Sequence, residues 1–358
     1  MNIPSTMRAL VFYGKNDYRF EKAYPTPRAG EGELLIKTEV CGVCAGDTKN
    51  WHGAAMFWGD ETQPSWVKPP FIPGHEFVGE IVEVGPNYKG DMKLGDRVAA
   101  EQIVPCGVCR FCKTGQYWMC QKHDIFGFQS NVNGGMAEYV KLTKEALVYK
   151  VPKDMPTKQA ALIEPYACAK HAVDRGSVTN EDVVVLSGAG TLGLGMIGYL
   201  RMKNPGKLVV LDMKQDRLEL AKKFGADVVI NPGKEDAVQM IMDMTDGYGC
   251  DVYIEATGHP SSVTQGLSMI RKLGRFVEFS VFGSATTVDW SIIGDRKELD
   301  ILGAHLSPYA FAPVIKWISE GKLPTEGVVT HTFTFEDWET AFELNSRGEN
   351  SIKVVLVP

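Results

Sequence analysis

With 358 residues, the chain is long enough for about two domains of roughly 150 residues each. Hydrophobic residues make up 44% and charged residues 23%, the profile of a globular protein with a sizeable core. The net charge of −6 argues against a general nucleic-acid or anionic-membrane binder, because either would need a basic footprint. The N-terminal "MNIPSTMRALVFYG" has no cationic segment followed by a long apolar run, so the expected location is cytoplasmic.

The first part of the chain is rich in short apolar runs bounded by Gly, Pro and Asp. "MRALVFYG", "GELLIKTEV", "FVGEIVEVG" and "DRVAAE" predict strands of a partly barrel-like domain. From about residue 155 the texture changes. "TKQAALIEPYACAKHAVDRG" predicts a helix ending at Gly176. Strand and helix then alternate: "DVVVLSG" with "TLGLGMIGYLRMK", "KLVVLD" with "QDRLELAKKFG", and "ADVVI" with "DAVQMIMDMT". "DVYIEATG" is followed by "SVTQGLSMIRKLG", and "RFVEFS" completes the set. Repeated units of this kind predict a doubly wound parallel sheet. Residues 183–200 are uncharged, but the β-branched run breaks at "SGAG". That predicts a buried strand, a turn and a buried helix rather than a membrane span. The chain closes with "SIKVVLVP", a further strand. The expected division is 1–156 with 295–358 for the β-rich domain and 157–294 for the α/β domain, with substrate in the cleft between them.

Three groups of residues carry chemistry. Cys106, Cys109, Cys112 and Cys120 form C-x2-C-x2-C-x7-C, four thiols on one loop, the pattern of a closed structural zinc site. An iron–sulfur run would continue with x3-C-P, whereas here seven residues intervene and Gln121 follows. Gly188, Gly190 and Gly193 form G-x-G-x-x-G between a strand and a helix, and Asp212 ends the next strand. This is a dinucleotide fingerprint, with Thr191 and Leu192 in the turn. Asp212 can accept both adenine-ribose hydroxyls and would repel a 2′-phosphate, so NAD is expected rather than NADP. His75 and Glu76 in "PGHEFVGE", with a distant cysteine, could build an open zinc site. Glu164, a carboxylate in an apolar pattern before Pro165, needs a partner such as a metal or a water on it.

Together these stretches, with "CGVCAGD" at 41–47 and "KELDILG" at 297–303, resemble the zinc-dependent medium-chain dehydrogenase/reductase family over nearly the whole chain. The resemblance implies a GroES-like catalytic domain beside a Rossmann domain. "IEP" at 163–165 is similar to polyol (sorbitol, xylitol) and threonine dehydrogenases, and a small-polyol enzyme of the erythritol/threitol or arabitol type is the nearest match. It implies Cys44 and His75 as catalytic zinc ligands, Asp47 orienting His75, and Cys41 as packing. Glu76 is the third ligand, with Glu164 holding a water at the metal or exchanging with Glu76; sequence leaves these two open. Arg217 is expected near the adenine ribose, Thr257, Gly258, Ser280 and Phe282 on the nicotinamide side, and Lys353 near the pyrophosphate. Two zinc ions per chain, NAD, a small polyol substrate and a homo-oligomer, dimer or tetramer, follow from the same likeness.

The sequence departs from the family at several points. Gly46 stands where relatives carry the Ser or Thr that takes the substrate proton, and Lys49 where many carry His. Asn50 and Ser307 replace tyrosines of sorbitol enzymes, and residues 57–71 form a Trp- and Pro-rich insert. The insert is either a substrate-cleft loop or a plain surface or oligomer-contact loop. Cys168 and Cys250 read as buried small hydrophobes. The rival readings are a zinc-free quinone reductase of the same superfamily, a threonine or simple-alcohol dehydrogenase, and a zinc-bearing protein that has kept the fold without catalysis.

Overall fold

The computed structural model describes residues 3–358. It contains two compact units. One takes the described residues through Glu164 together with Phe311–Ser319 and Val328–Pro358; the other takes Pro165–Ala310 and Glu320–Gly327. The expected boundaries at 156/157 and 294/295 therefore move. The strand Asp300–Gly303 pairs in parallel with Ile270–Glu278, which keeps the chain after 295 in the second unit.

The first unit is built on a seven-stranded sheet. Its central strand, Leu34–Val43, pairs with Glu76–Val84, with Tyr139–Leu142 and with the C-terminal Lys353–Val357. Most residues of this strand are buried, and its apolar side chains fall in two runs, at 34–36 and from Val40, on either side of Lys37, Thr38 and Glu39. The outer strands Arg97–Ala100 and Val148–Lys150 continue the ladder. Arg97 is buried but fully occupied: it donates to both oxygens of Glu39 and to the carbonyls of Pro152 and Met155. The strand it opens delivers Glu101 and Gln102 into the interior.

The second unit carries six parallel strands in the order 3-2-1-4-5-6, counted within the unit. The order reverses between Val183–Ser187 and Cys250–Glu255, where ligands of such sheets bind beyond the strand C-termini. Val185, Val209, Ile230, Tyr253 and Phe276 fill the core on one side of this sheet. The apolar run at 183–200 divides into the strand Val183–Ser187 and the helix Thr191–Lys203. No helix among the described residues is long and apolar enough to cross a membrane.

One expected element is shorter than its pattern. The helix drawn through 262–274 ends at Met269, and the next strand starts at Ile270. Lys297 stops it: its ammonium donates to the carbonyls of Leu267, Ser268 and Ile270, groups that another helical turn would have used. The helix expected through 157–176 is likewise two pieces, Thr157–Ala160 and Ile163–Arg175.

Candidate functional site

Cys44 follows the central strand and caps the short helix Ala45–Trp51. Its thiol accepts from the backbone N–H of Gly46, while its own N–H donates to Asp47 Oδ2 at 2.9 Å. That bond fixes the fully buried Asp47, whose Oδ1 lies 3.7 Å from His75 Nδ1. With Nδ1 on the Asp47 side, the other imidazole nitrogen is left for a metal. Burial opposes a charged imidazole, yet the surrounding Asp47, Cys44 and Glu164 hold the His75 pKa well above its ordinary value. Burial also raises the Asp47 carboxyl. Such a cluster of buried acids and a thiol calls for positive charge.

The structure brings together Cys44, His75 and Glu76, with one donor atom from each within 4.8 Å of the others. Sulfur, nitrogen and oxygen from three side chains is the donor set of a zinc centre with an open position. Glu164 stands outside this triangle. Its Oε1 accepts from Gln102 Nε2 at 2.6 Å, with both side chains buried. Lys353 is buried, paired with Glu76 Oε2, and donates to the Val43 carbonyl. Gly42 makes the pairing possible. It is in register with Glu76, and a Cβ there would collide with the Glu76 carboxylate and with Lys353 Cε.

The four thiols of the 106–120 loop also converge within 4.8 Å. Cys109 Sγ is 3.5 Å from Cys112 Sγ, and Cys106 Sγ is 4.0 Å from Cys112 Sγ. A tetrahedron with Zn–S bonds of about 2.3 Å has edges of about 3.8 Å, so the loop fits the ion. Backbone N–H groups of Cys112 and Gln121 lower the Cys109 thiol to about 6, and burial raises Cys112 to about 12.

In the second unit Gly188 turns with φ 108°, and a Cβ there would strike the Ala256 carbonyl. Asp212 ties this turn down. Its carboxylate accepts from Ala189 N at 2.8 Å and from Lys214 N at 2.9 Å. A carboxylate has about four acceptor sites, so capacity for ribose hydroxyls remains. Arg217 comes close to the turn: a Cβ on Gly190 would lie 3.7 Å from its Nη1. Thr191 and Leu192 are half-buried at the helix start, behind which Gly193 packs on Gly188. Thr257, Gly258 and Ser280 gather where the strands Cys250–Glu255 and Ile270–Glu278 end, with the half-buried Phe282 just beyond.

Sequence reasoning missed the residues that hold these groups. Glu255, completely buried, accepts from the N–H groups of Thr257 and Gly258 and from the Thr257 hydroxyl, and so builds that turn. Its place inside "VYIEATG" offered a signal, since a carboxylate in a buried strand must be satisfied. Gln102 offered none.

The fold and the two donor sets define a zinc-binding dehydrogenase. The family model of the alcohol dehydrogenase GroES-like domain matches residues 30–153, and that of the zinc-binding dehydrogenase matches residues 191–320. The chain is 50% identical to an erythritol/L-threitol dehydrogenase of Mycolicibacterium smegmatis over 99% of both chains. It is 36% identical to an L-threonine 3-dehydrogenase of Pyrococcus horikoshii over 92% of each. Among solved structures, a short chain alcohol dehydrogenase of Escherichia coli complexed with cofactor NADH superposes with a TM-score of 0.86. It is 28% identical, and the match covers 99% of this chain and 100% of that one. The protein therefore belongs to the zinc-binding, GroES-like alcohol dehydrogenase family and is an oxidoreductase.

Proposed function

We propose that this enzyme oxidises a secondary hydroxyl of a small polyol, of four or five carbons such as erythritol, threitol or arabitol, to a ketose with NAD. The Cys44–His75–Glu76 triangle, with His75 and Glu76 buried, carries the reading, and the likeness to an erythritol/L-threitol dehydrogenase supports the substrate class. These three side chains hold a catalytic zinc, and the four cysteines hold a second, structural one. Zinc in the first site would lower the pKa of an alcohol and favour its deprotonation near neutral pH. NAD would accept the hydride.

The chain's own residues do the rest. Asp47 holds the His75 ring and Lys353 holds Glu76. Asp212 takes the adenine-ribose hydroxyls, Arg217 lies by the glycine turn, and Glu255 keeps Thr257 and Gly258 in place for the nicotinamide. Gly46 has no hydroxyl, so the alcohol proton needs another acceptor. We assign it to Glu164, acting through a water, with Gln102 holding the carboxylate through Oε1. General-base help is worth ~10²–10⁴-fold in rate, and Glu164→Gln should lose that much and alter the pH profile of turnover. A Cβ on Gly46 meets nothing nearer than Cys44 Sγ at 3.7 Å, so Gly46→Ser should fit and retain activity on simple secondary alcohols.

The test is a screen of four- to six-carbon polyols with NAD and NADP, followed at the NADH absorbance, beside metal analysis. No turnover of any polyol would sink the reading. Asp212→Ala should narrow the NAD preference by about 10–100-fold, the worth of charged hydrogen bonds. We also infer a homo-oligomer, since the outermost strand Asp300–Gly303 of the parallel sheet is exposed, as are Ile301, Trp290 and Tyr309 nearby in sequence. Light scattering would test it.

A further inference from the structure

The Trp- and Pro-rich stretch at 57–71 is neither loose nor apart from the metal-ligand cluster. Trp66 and Val67 both donate their N–H groups to the Phe57 carbonyl, and Ser65 Oγ donates to the same oxygen. Asp60 caps the turn by accepting from Thr62 and Gln63, and Lys68 N donates to the Phe128 carbonyl. Trp58 Nε1 donates to the Asn50 carbonyl at 2.8 Å, which ties the stretch to the helix that Cys44 caps.

This pinned loop builds an aromatic wall. Phe57 stacks on Phe128 with ring centres 5.4 Å apart and planes 4° from parallel. Trp66 packs on Phe128 at 5.1 Å and meets His123 edge-on at 5.6 Å. Phe128 in turn lies 5.5 Å from the ring of His75, one of the three clustered donors. Phe57 and Phe128 are almost wholly buried, whereas Trp66 and His123 keep part of their surface open. The cluster thus starts at a metal-ligand ring and ends at an open edge.

We propose that Phe57, Trp66 and Phe128 form the wall of the substrate site that limits chain length, selecting a short polyol whose C–H face lies on the rings. This inference rests on the polyol reading and names the residues that set its size limit. The chemistry fits. Small-molecule sites pair aromatic surface with a few polar groups, and the buried Glu164, which accepts from Gln102, supplies one. Ring faces accept the apolar side of a carbon chain but give a hydroxyl no proper partner, so each extra CHOH unit pushed against the wall is penalised.

The experiment compares kcat/KM of the holoenzyme with NAD for erythritol, xylitol and sorbitol. In the unmodified enzyme kcat/KM should fall as the chain lengthens. Trp66→Ala should raise the ratio of five- and six-carbon to four-carbon activity by about tenfold or more, the worth of one or more carbon units in a fitted pocket. Phe57→Leu should act in the same direction and less strongly. A second readout is binding: erythritol titrated into the NADH complex should change tryptophan emission, and Trp66→Phe should remove that change. An unaltered length ratio in folded Trp66→Ala, with the emission change retained in Trp66→Phe, would overturn the inference. Failure of the polyol reading looks different, since the unmodified enzyme would then turn over no polyol. The wall is in that case tested by the same ratio measured from 2-butanol to 2-hexanol, where an unchanged ratio in Trp66→Ala again overturns it.

Discussion

The four thiols of the 106–120 lobe come from one stretch of fifteen residues, whereas Cys44, His75 and Glu76 meet across two strands and reach Lys353 on a third. Three of the lobe cysteines are only half-buried, and their thiols are steadied by nearby backbone N–H groups. The other cluster has His75, Glu76 and Asp47 buried, and each is held by a partner far away in sequence or by a helix cap. A local loop can gather four identical ligands to close a metal shell. A site that must keep one position open for substrate needs its ligands fixed from outside, and a sheet supplies that rigidity.

This contrast can be broken by substitution. The largest effect should come from Cys44→Ala. Loss of a metal ligand removes several kcal/mol of charge stabilisation, so kcat/KM should drop on the order of 10³-fold. Elemental analysis should show one zinc equivalent lost and the other kept. Next is Gly42→Ala, which replaces no ligand but displaces the Glu76–Lys353 pair. Weakening the support of a ligand typically costs about 10–100-fold in metal affinity, readable in a chelator competition. A Gly42→Ala protein that retains its metal as tightly as the parent would show that the sheet does not hold the ligand.

Cys112→Ser should do the reverse. Stability should fall, with Tm lower by about 10 °C, while kcat/KM of the folded fraction should stay within about twofold, as for distant sites. The smallest effect is expected at Glu101, which accepts from Tyr117 of the lobe and from Tyr149 of the sheet. Burial raises its carboxyl from 4.5 to about 7, against the pull of both hydroxyls. Between those two pH values the folded chain keeps a proton that the unfolded chain has lost, so stability declines as pH rises through that window. Glu101→Gln should flatten the fall in Tm between pH 5 and 8 by about 2–5 °C; an unchanged slope would remove Glu101 from the account.

The same contrast explains what could be read from the sequence. Cys106 to Cys120 and the glycines at 188–193 are local patterns, in which spacing alone implies geometry. The alternation of strands and helices after residue 180 was legible for the same reason, and the helix Thr191–Lys203 coincides with its pattern. The end of the helix at Met269 was not, because a lysine from a distant segment sets it. The pairing of Lys353 with Glu76 was not legible, because it depends on how the C-terminal strand pairs with Leu34–Val43. Gln102 and Glu255 escaped notice because they act through partners rather than through a motif. The 57–71 stretch showed its aromatic content, but not the ring contact with His75.

Gly42 faces Glu76 on one neighbouring strand and Val355 on the other. A slip of one residue in either pairing would turn Glu76 or Lys353 to the opposite face of the sheet. The donor triangle exists only when the N-terminal, middle and C-terminal segments of the unit are aligned correctly with one another. A cation captured there would act as a proofreader of the folded chain. It would discriminate against misaligned conformers, and it would tie the strand of Lys353 to a centre whose first ligand, Cys44, lies more than 300 residues earlier in the chain.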